Sequence, residues 1–426
     1  MSTEIRVGDV YFNLGDDDGN PSSGEIATER RVLETAEDHP HTETLPVLAD
    51  PAADRLDPDL MQRRADVDEK HRRVVEFLER NGYDAAILGR AESVSWFTAG
   101  GELRQNLGSS ERASALVFVT RQSRAILTDN VQSPRIFEEE VAGLGFHLKE
   151  RPWHEPVEAN VAALSRSKKV VTDTHGLGLA VDQDGLGELR LALTRLERQR
   201  LRELGRTMTL CVEATCRNFH PGETEADLAG HLAHRMLREG VTPVDLCVAN
   251  DDRARRYRQP TFKSVPIERM ATITAVGRRH GQCAAVTRIV SFGPVPKAVQ
   301  EALAVAAMVD ATAIYFSRPG QSVAEVFRRV RRIYEKFGHP HEWTLATQGA
   351  IIGYRPVERP LLPETSFPLR SHVPVRWTPS VGPARSEDTI VVDERGFEVV
   401  TEAQRWPKLE VMVKGFPLPR PGILER

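Results

Sequence analysis

From 187 to 240 the chain carries helical periodicity almost without interruption, broken only at His220-Pro221-Gly222. Proline removes a backbone donor and glycine tolerates the left-handed turn, so this break separates two helices rather than bending one. Two further long helices are expected at about 296–316 and about 323–337, where Gly338 and Pro340 stop the second. Strand signals fill the rest of this half. Near its end, 388–392 and 397–401 are β-branched and aromatic runs flanking Asp393-Glu394-Arg395-Gly396, which predicts a hairpin.

The first half reads differently. Residues 1–60 are rich in Asp, Gly, Pro and Ser, lack sustained periodicity and read as an extension that is draped over the body or partly disordered. From 61 to 81, Val67, Val74, Val75, Phe77 and Leu78 recur at helical spacing, and Gly82 supplies a stop. Short strands follow at 85–88, 94–98, 115–119 paired with 125–128, and 169–172, with a helix from about Pro134. Alternation of this kind predicts an α/β domain. The expected organisation is an extension at 1–60, an α/β domain at 61–185 and a second domain at 186–426.

Composition closes off several function classes. At 426 residues, with 40% hydrophobic and 28% charged positions, the chain is globular and long enough for two substantial cores. A formal charge of -4 without long Lys/Arg runs argues against nucleic acid as the main partner, and Arg328-Arg-Val-Arg-Arg332 reads as the solvated face of a helix. No run of ~18 consecutive apolar residues suggests a membrane span, and the N-terminus lacks the basic start and apolar core of a signal peptide, so a cytoplasmic protein is expected. Cys211, Cys216, Cys247 and Cys283 form no CxxC pair and read as buried thiols.

Several motifs of the second half belong together. Ala271-Thr-Ile-Thr-Ala-Val-Gly277, Cys283-Ala-Ala-Val-Thr-Arg288 and Val381-Gly-Pro-Ala-Arg-Ser-Glu-Asp388, with the turns Pro221-Gly-Glu-Thr-Glu225 and Arg318-Pro-Gly320, resemble the creatinase/aminopeptidase P/methionine aminopeptidase (M24) superfamily over roughly residues 60–410. The resemblance implies a creatinase-like α/β N-terminal domain and an α+β pita-bread C-terminal domain, in which helices cover one face of a curved antiparallel sheet built from two diverged halves. Peptidases of that family hold two metal ions with two Asp, one His and two Glu. Their positions here carry Thr274 or Ala275, Ala285, Gln348, Thr378 and Glu387. Thr, Ala and Gln offer neither an anionic oxygen nor an imidazole nitrogen, so no metal and no other cofactor is expected.

The resemblance puts Glu387 at the centre of such a site, where a buried carboxylate must be neutral or paired. Arg288 and Arg385 are its expected partners, and two roles stay open: a structural ion pair, or a catalytic acid/base assisted by His341. Arg253, Arg256, Tyr257 and Arg258 make a dense cationic cluster suited to clamping a carboxylate or phosphate, or else a solvated surface paired with Asp251 and Asp252. Gln348, Tyr354, Trp377 and Thr378 are expected to supply neutral hydrogen bonds and an aromatic wall, or to fill the space of the metals. The expected function is a metal-independent enzyme acting at a carbon–nitrogen bond of a small anionic or amino-acid-like substrate, by hydrolysis, elimination or cyclisation. A catalytically inactive pseudopeptidase that binds a peptide or protein is the alternative, and a metallopeptidase with relocated ligands a distant third. Family precedent also implies a homodimer in which Trp96 and Arg104 help to close the partner's cleft.

Overall fold

The computed structural model describes residues 5–7, 10–12, 57–103 and 112–426. Two units divide the chain, Met1–Arg55 and Leu56–Arg426. In the first, Ile5–Val7 pairs antiparallel with Val10–Phe12; what was expected of the remainder of 1–60, and of Arg104, lies outside the described residues.

The second unit opens on the helix Pro58–Asn81. Asp57 caps it by accepting the Asp59 amide, and Gly82 ends it at φ 66, a left-handed conformation that glycine adopts without a Cβ clash. This helix packs against a six-stranded sheet with the order His147–Arg151, Arg124–Asp129, Arg112–Thr120, Ala85–Arg90, Val170–Thr172, Ala180–Val181. One expected strand is not there. Residues Ala91–Phe97 are a fully buried helix, because the Asp173 carboxylate accepts the amides of Gly89 and Arg90 at 2.8 and 3.3 Å and turns the chain at that point. Tertiary capping overrides the strand propensity of Val94, Trp96 and Phe97.

The remaining chain forms two similar halves around one curled sheet. In the first, helices Arg195–Asn218 and Glu225–Arg238 pack on strands Thr242–Asn250, Met270–Arg279 and Gln282–Ser291. In the second, helices Lys297–Phe316 and Val323–Lys336 pack on Gly349–Ile351, Pro374–Trp377 and Asp388–Asp393, the last continuing through the expected hairpin into Gly396–Val399. The repetition reaches single residues. Each second helix starts after a Pro-Gly turn, with Gly222 and Gly320 at φ 90 and 82. Each has a hydroxyl N-cap, Thr224 or Ser322, which also bridges to a proline, Pro266 or Pro368. The helix Lys297–Phe316 is long and apolar enough to cross a membrane by length and composition, yet most of it is buried here as the core helix of the second half.

The halves join along a thin seam. Gln282–Ser291 and Asp388–Asp393 share one bridge, Val286↔Asp388. A hydroxyl completes the join: Thr389 Oγ1 accepts the Ala285 amide and donates to the Ala285 carbonyl, both at 2.9 Å.

Candidate functional site

The central hairpin decides which side chains face the cleft. His280 and Gly281 form its two-residue loop, with φ 50 and 75, and such a loop fixes the register of the flanking strands. Cross-strand partners share a face, and the pairs Thr274↔Thr287 and Val276↔Ala285 stand on the cleft side. Ala271, Ile273 and Ala275 point the other way, into the core under the first helix pair. Thr274 rather than Ala275 therefore stands at the first ligand position. Cys283 shares the cleft face, but it is packed with Val276, Ala285 and Ile352 in a small apolar cluster. Burial, followed by the Arg200 charge, pushes the His280 imidazole down to about 4.

Three hydroxyl and carboxyl groups form a chain across the seam. Thr287 Oγ1 donates to Glu387 Oε2 at 2.7 Å, and lies 2.7 Å from Thr274 Oγ1. A hydroxyl has one proton, so Thr274 must be the donor to Thr287. The other oxygen, Glu387 Oε1, is buried without a hydrogen-bond partner and lies 3.6 Å from Arg376 Nη1. The expected pairing partners are thus corrected. Arg288 leaves the cleft altogether, because it follows the cleft-facing Thr287 in the strand Gln282–Ser291 and so points to the opposite face, where it binds Asp388. Arg385 donates to the backbone carbonyl of Arg258. Arg376 takes their place, since Arg376 pairs with Thr389 across the strands and so stands diagonal to Glu387.

This donor set does not fit the dimetal centre that the resemblance implies. Ala285 has no donor, and Gln348 has its amide fully engaged: Oε1 accepts from Tyr334 Oη at 2.9 Å, and Nε2 reaches the carbonyls of Ala346 and Trp343 at 3.0 and 3.3 Å. Thr378 gives its hydroxyl to the Thr347 carbonyl at 2.9 Å. Among the described residues no group of three or more His, Cys, Asp or Glu is placed to hold an ion.

Above the floor, a cavity is lined by Cys247, Tyr257, Arg258, Thr274, Ser380 and Arg385, among others, and leaves only about 20 Å³ open to water centres. That is room for about one water. Its walls are tied together. Arg258 donates to Glu342 Oε2 at 2.8 Å and to the Gly382 carbonyl, so three loops are laced across the cleft. Arg253 lies outside the cavity lining, with Nε 3.0 Å from the buried Glu225 carboxylate. Arg256 is exposed. Three further expectations are corrected by burial or position. Trp377 is core, its Nε1 donating to Ser317 Oγ at 2.9 Å. Tyr354 sits under the α/β domain, donating to Glu197 at 2.6 Å beside Lys70. His341 is exposed at a turn and is absent from the cavity wall.

On the opposite face of the seam lies a charge network that sequence reasoning did not find. Arg288 binds Asp388 at 3.1 Å and approaches Glu213 at 3.7 Å; Arg420 binds both Asp388 and Asp310 at 2.7 Å. All five are essentially inaccessible. Glu213 and Asp310 come from the long helix of each half, so the network joins the halves behind the cleft. Burial pushes the Asp310 carboxyl up to about 6, although Arg420 and Ser386 pull against it. The available signal was the Glu387-Asp388 pair, whose alternation sends one carboxylate to each face.

Comparison with known proteins places these observations. A family model described as Metallopeptidase family M24 matches residues 199–394. An uncharacterized peptidase of Staphylococcus aureus (strain MW2) is 21% identical over 263 residues, covering 58% of this chain and 73% of that protein. Among solved structures, a prolidase from Pyrococcus horikoshii OT3 aligns with TM-score 0.68 and 16% identity, covering 79% of this chain and 99% of that one. The N-terminal domain of FACT complex subunit SPT16 from Cicer arietinum aligns with TM-score 0.62 and 12% identity, covering 82% and 97%.

Proposed function

This chain belongs to the M24 superfamily, and from that premise we propose that it is a metal-independent, non-peptidase member whose cleft serves binding rather than peptide hydrolysis. The observation that carries the reading is the cleft itself: its cavity has about 20 Å³ for water centres, and Arg258 laces the loops above it together. A substrate peptide needs a pocket of several hundred Å³. Around the mouth, by contrast, large side chains are open to solvent, with Tyr257 48%, Phe262 42% and Leu345 57% exposed. Gln259 Nε2 and Thr347 Oγ1, 3.3 Å apart, join the two segments that carry them. Arg255, Arg256 and Lys263 are exposed on the same stretch. Aromatic contact area beside arginines suits an acidic peptide segment of a protein partner. The same frame occurs in a protein titled as a subunit of a complex, the chickpea domain.

The test is direct. Fluorescence anisotropy with acidic, aromatic-containing peptides should give saturable binding that weakens with salt and is lost in Arg255→Glu with Arg256→Glu, while the melting temperature stays unchanged. Binding indifferent to charge reversal, or cleavage of Xaa-Pro peptides that a chelator abolishes, would refute the proposal.

A second reading, an enzyme acting at a carbon–nitrogen bond, is favoured by one observation. Glu387 Oε1 is a buried carboxylate oxygen on the cleft side with no hydrogen bond among the described residues, and a carboxylate so placed is a candidate acid or base. Should a small anionic or amino-acid-like substrate be turned over without metal, Glu387→Gln must abolish turnover while the fold persists. Full activity in that variant removes Glu387 from the chemistry.

A further inference from the structure

A second polar cavity lies elsewhere in the second unit. A cleft of about 90 Å³ is lined by Arg90, Gln183, Asp184, Gly187, Arg190, Leu191, Arg355, Glu358 and Arg359. It shares no residue with the cavity beside Glu387. Its walls come from three places: Arg90 ends a strand of the six-stranded sheet, Arg190 lies on the segment leading to the first long helix, and Arg355 and Arg359 follow the strand Gly349–Ile351 of the curled sheet.

Its charges are unbalanced in a specific way. Four guanidinium groups face two lining carboxylates, Asp184 and Glu358. Glu358 is already saturated. It holds Arg190 bidentately at 2.7 and 3.0 Å and accepts the amides of Tyr354 and Arg355 at 2.9 and 3.2 Å. Behind the lining, Glu92 takes Arg90 Nε at 2.6 Å and Glu188 takes Arg359. Arg355 is left over. Its side chain is 44% exposed, its nearest carboxylate is Glu92 at 3.8 Å, and its guanidinium makes no hydrogen bond among the described residues. A guanidinium brings five N–H donors in a fork that matches carboxylate and phosphate oxygens. Arg190 is fixed beside it by Glu358 and by Ser93 Oγ at 3.2 Å, so the wall is built before any ligand arrives.

We propose that this cleft binds a small oxoanion, a carboxylate or a phosphate group, with Arg355 as the closing donor. Volume agrees with the chemistry: ~90 Å³ of space for water centres accommodates several waters or one small oxoanion. A bound anion would also tie the α/β sheet to the curled sheet, because its donors come from both. Ligand binding to this cleft is independent of what the Glu387 cleft does.

The experiment is calorimetric titration of the full chain with inorganic phosphate and, separately, with succinate, at ionic strength held constant with sodium chloride. Saturable binding of either is expected, accompanied by a rise in melting temperature. Phosphate alone would assign a phosphorylated ligand, and succinate alone or both would assign a carboxylate-tolerant one. Arg355→Ala should weaken binding about tenfold or more, the loss of one charge-assisted hydrogen bond. Arg355→Lys should recover part of it. Failure of both anions to bind the wild-type chain overturns the proposal, and so does undiminished binding in Arg355→Ala. Because Arg355 is exposed, its variants are expected to fold, and an unchanged circular dichroism spectrum checks this.

Discussion

At the scale of single residues, adjacent carboxylates have unlike fates. Glu387 faces the cleft with a hydroxyl and one distant arginine, whereas Asp388 faces the helices with two arginines and the Thr401 hydroxyl. Sequence reasoning singled out Glu387 and expected it to be buried, as it is, but chose its partners by motif rather than by strand pairing. Arg376 was illegible because it reaches Glu387 only through the pairing of Pro374–Trp377 with Asp388–Asp393. Residues whose role is to satisfy one another, such as Gln348 with Tyr334, cannot be told from ligand-binding groups by type alone. Arg288→Met offers a residue-scale check. It takes one guanidinium away from Asp388 and Glu213 in the interior, leaving Asp388 with Arg420 and Thr401 and Glu213 with two backbone amides and Arg217, and removing one partner of a buried pair costs about 3–5 kcal/mol. Urea denaturation should show a loss of that size, whereas loss under ~1 kcal/mol would mean that water reaches the network.

At the scale of elements, the helices and the C-terminal hairpin were legible because their signals are long and periodic, down to the glycine stops. Ala91–Phe97 was not, since the Asp173 carboxylate that turns the chain there is over seventy residues away. The seam is the element with its own pH behaviour. Asp310 has its carboxyl raised from the ordinary 3.8 to about 6, chiefly by burial. The folded chain therefore prefers the protonated form, and this group's contribution to stability is full below pH ~4 and lost as pH rises through about 6. Asp310→Asn should remove that slope. Denaturant midpoints of wild type and variant, compared from pH 4 to pH 7, should diverge most strongly between pH ~4 and ~6; parallel curves would place the titration elsewhere.

At the scale of the whole molecule, likeness to the M24 family over residues 199–394 and the two-half architecture carry little information about chemistry, because sites are grafted on folds and the resemblance assigns four of five ligand positions to Thr274, Ala285, Gln348 and Thr378. Adding Mn or Co is accordingly expected to leave the melting temperature where it was, and a rise that saturates at stoichiometric metal would contradict the reading. A homodimer remains the expected assembly. Light scattering at micromolar concentration tests it against the 47.6 kDa monomer. Trp96, once a candidate for reaching across such a dimer, is 1% exposed within its own core, which removes it from that role.

Ala285 gives the seam an asymmetry in time as well as in space. Packed with Val276, Cys283 and Ile352 and completely buried, it occupies a spot where a carboxylate introduced by one substitution would be taken out of water among apolar side chains and a thiol. Ala285→Asp should lower stability by several kcal/mol and bind no ion. On the proposed reading, metal binding at this spot would require the apolar neighbours to change first, so each step towards it starts by weakening the fold.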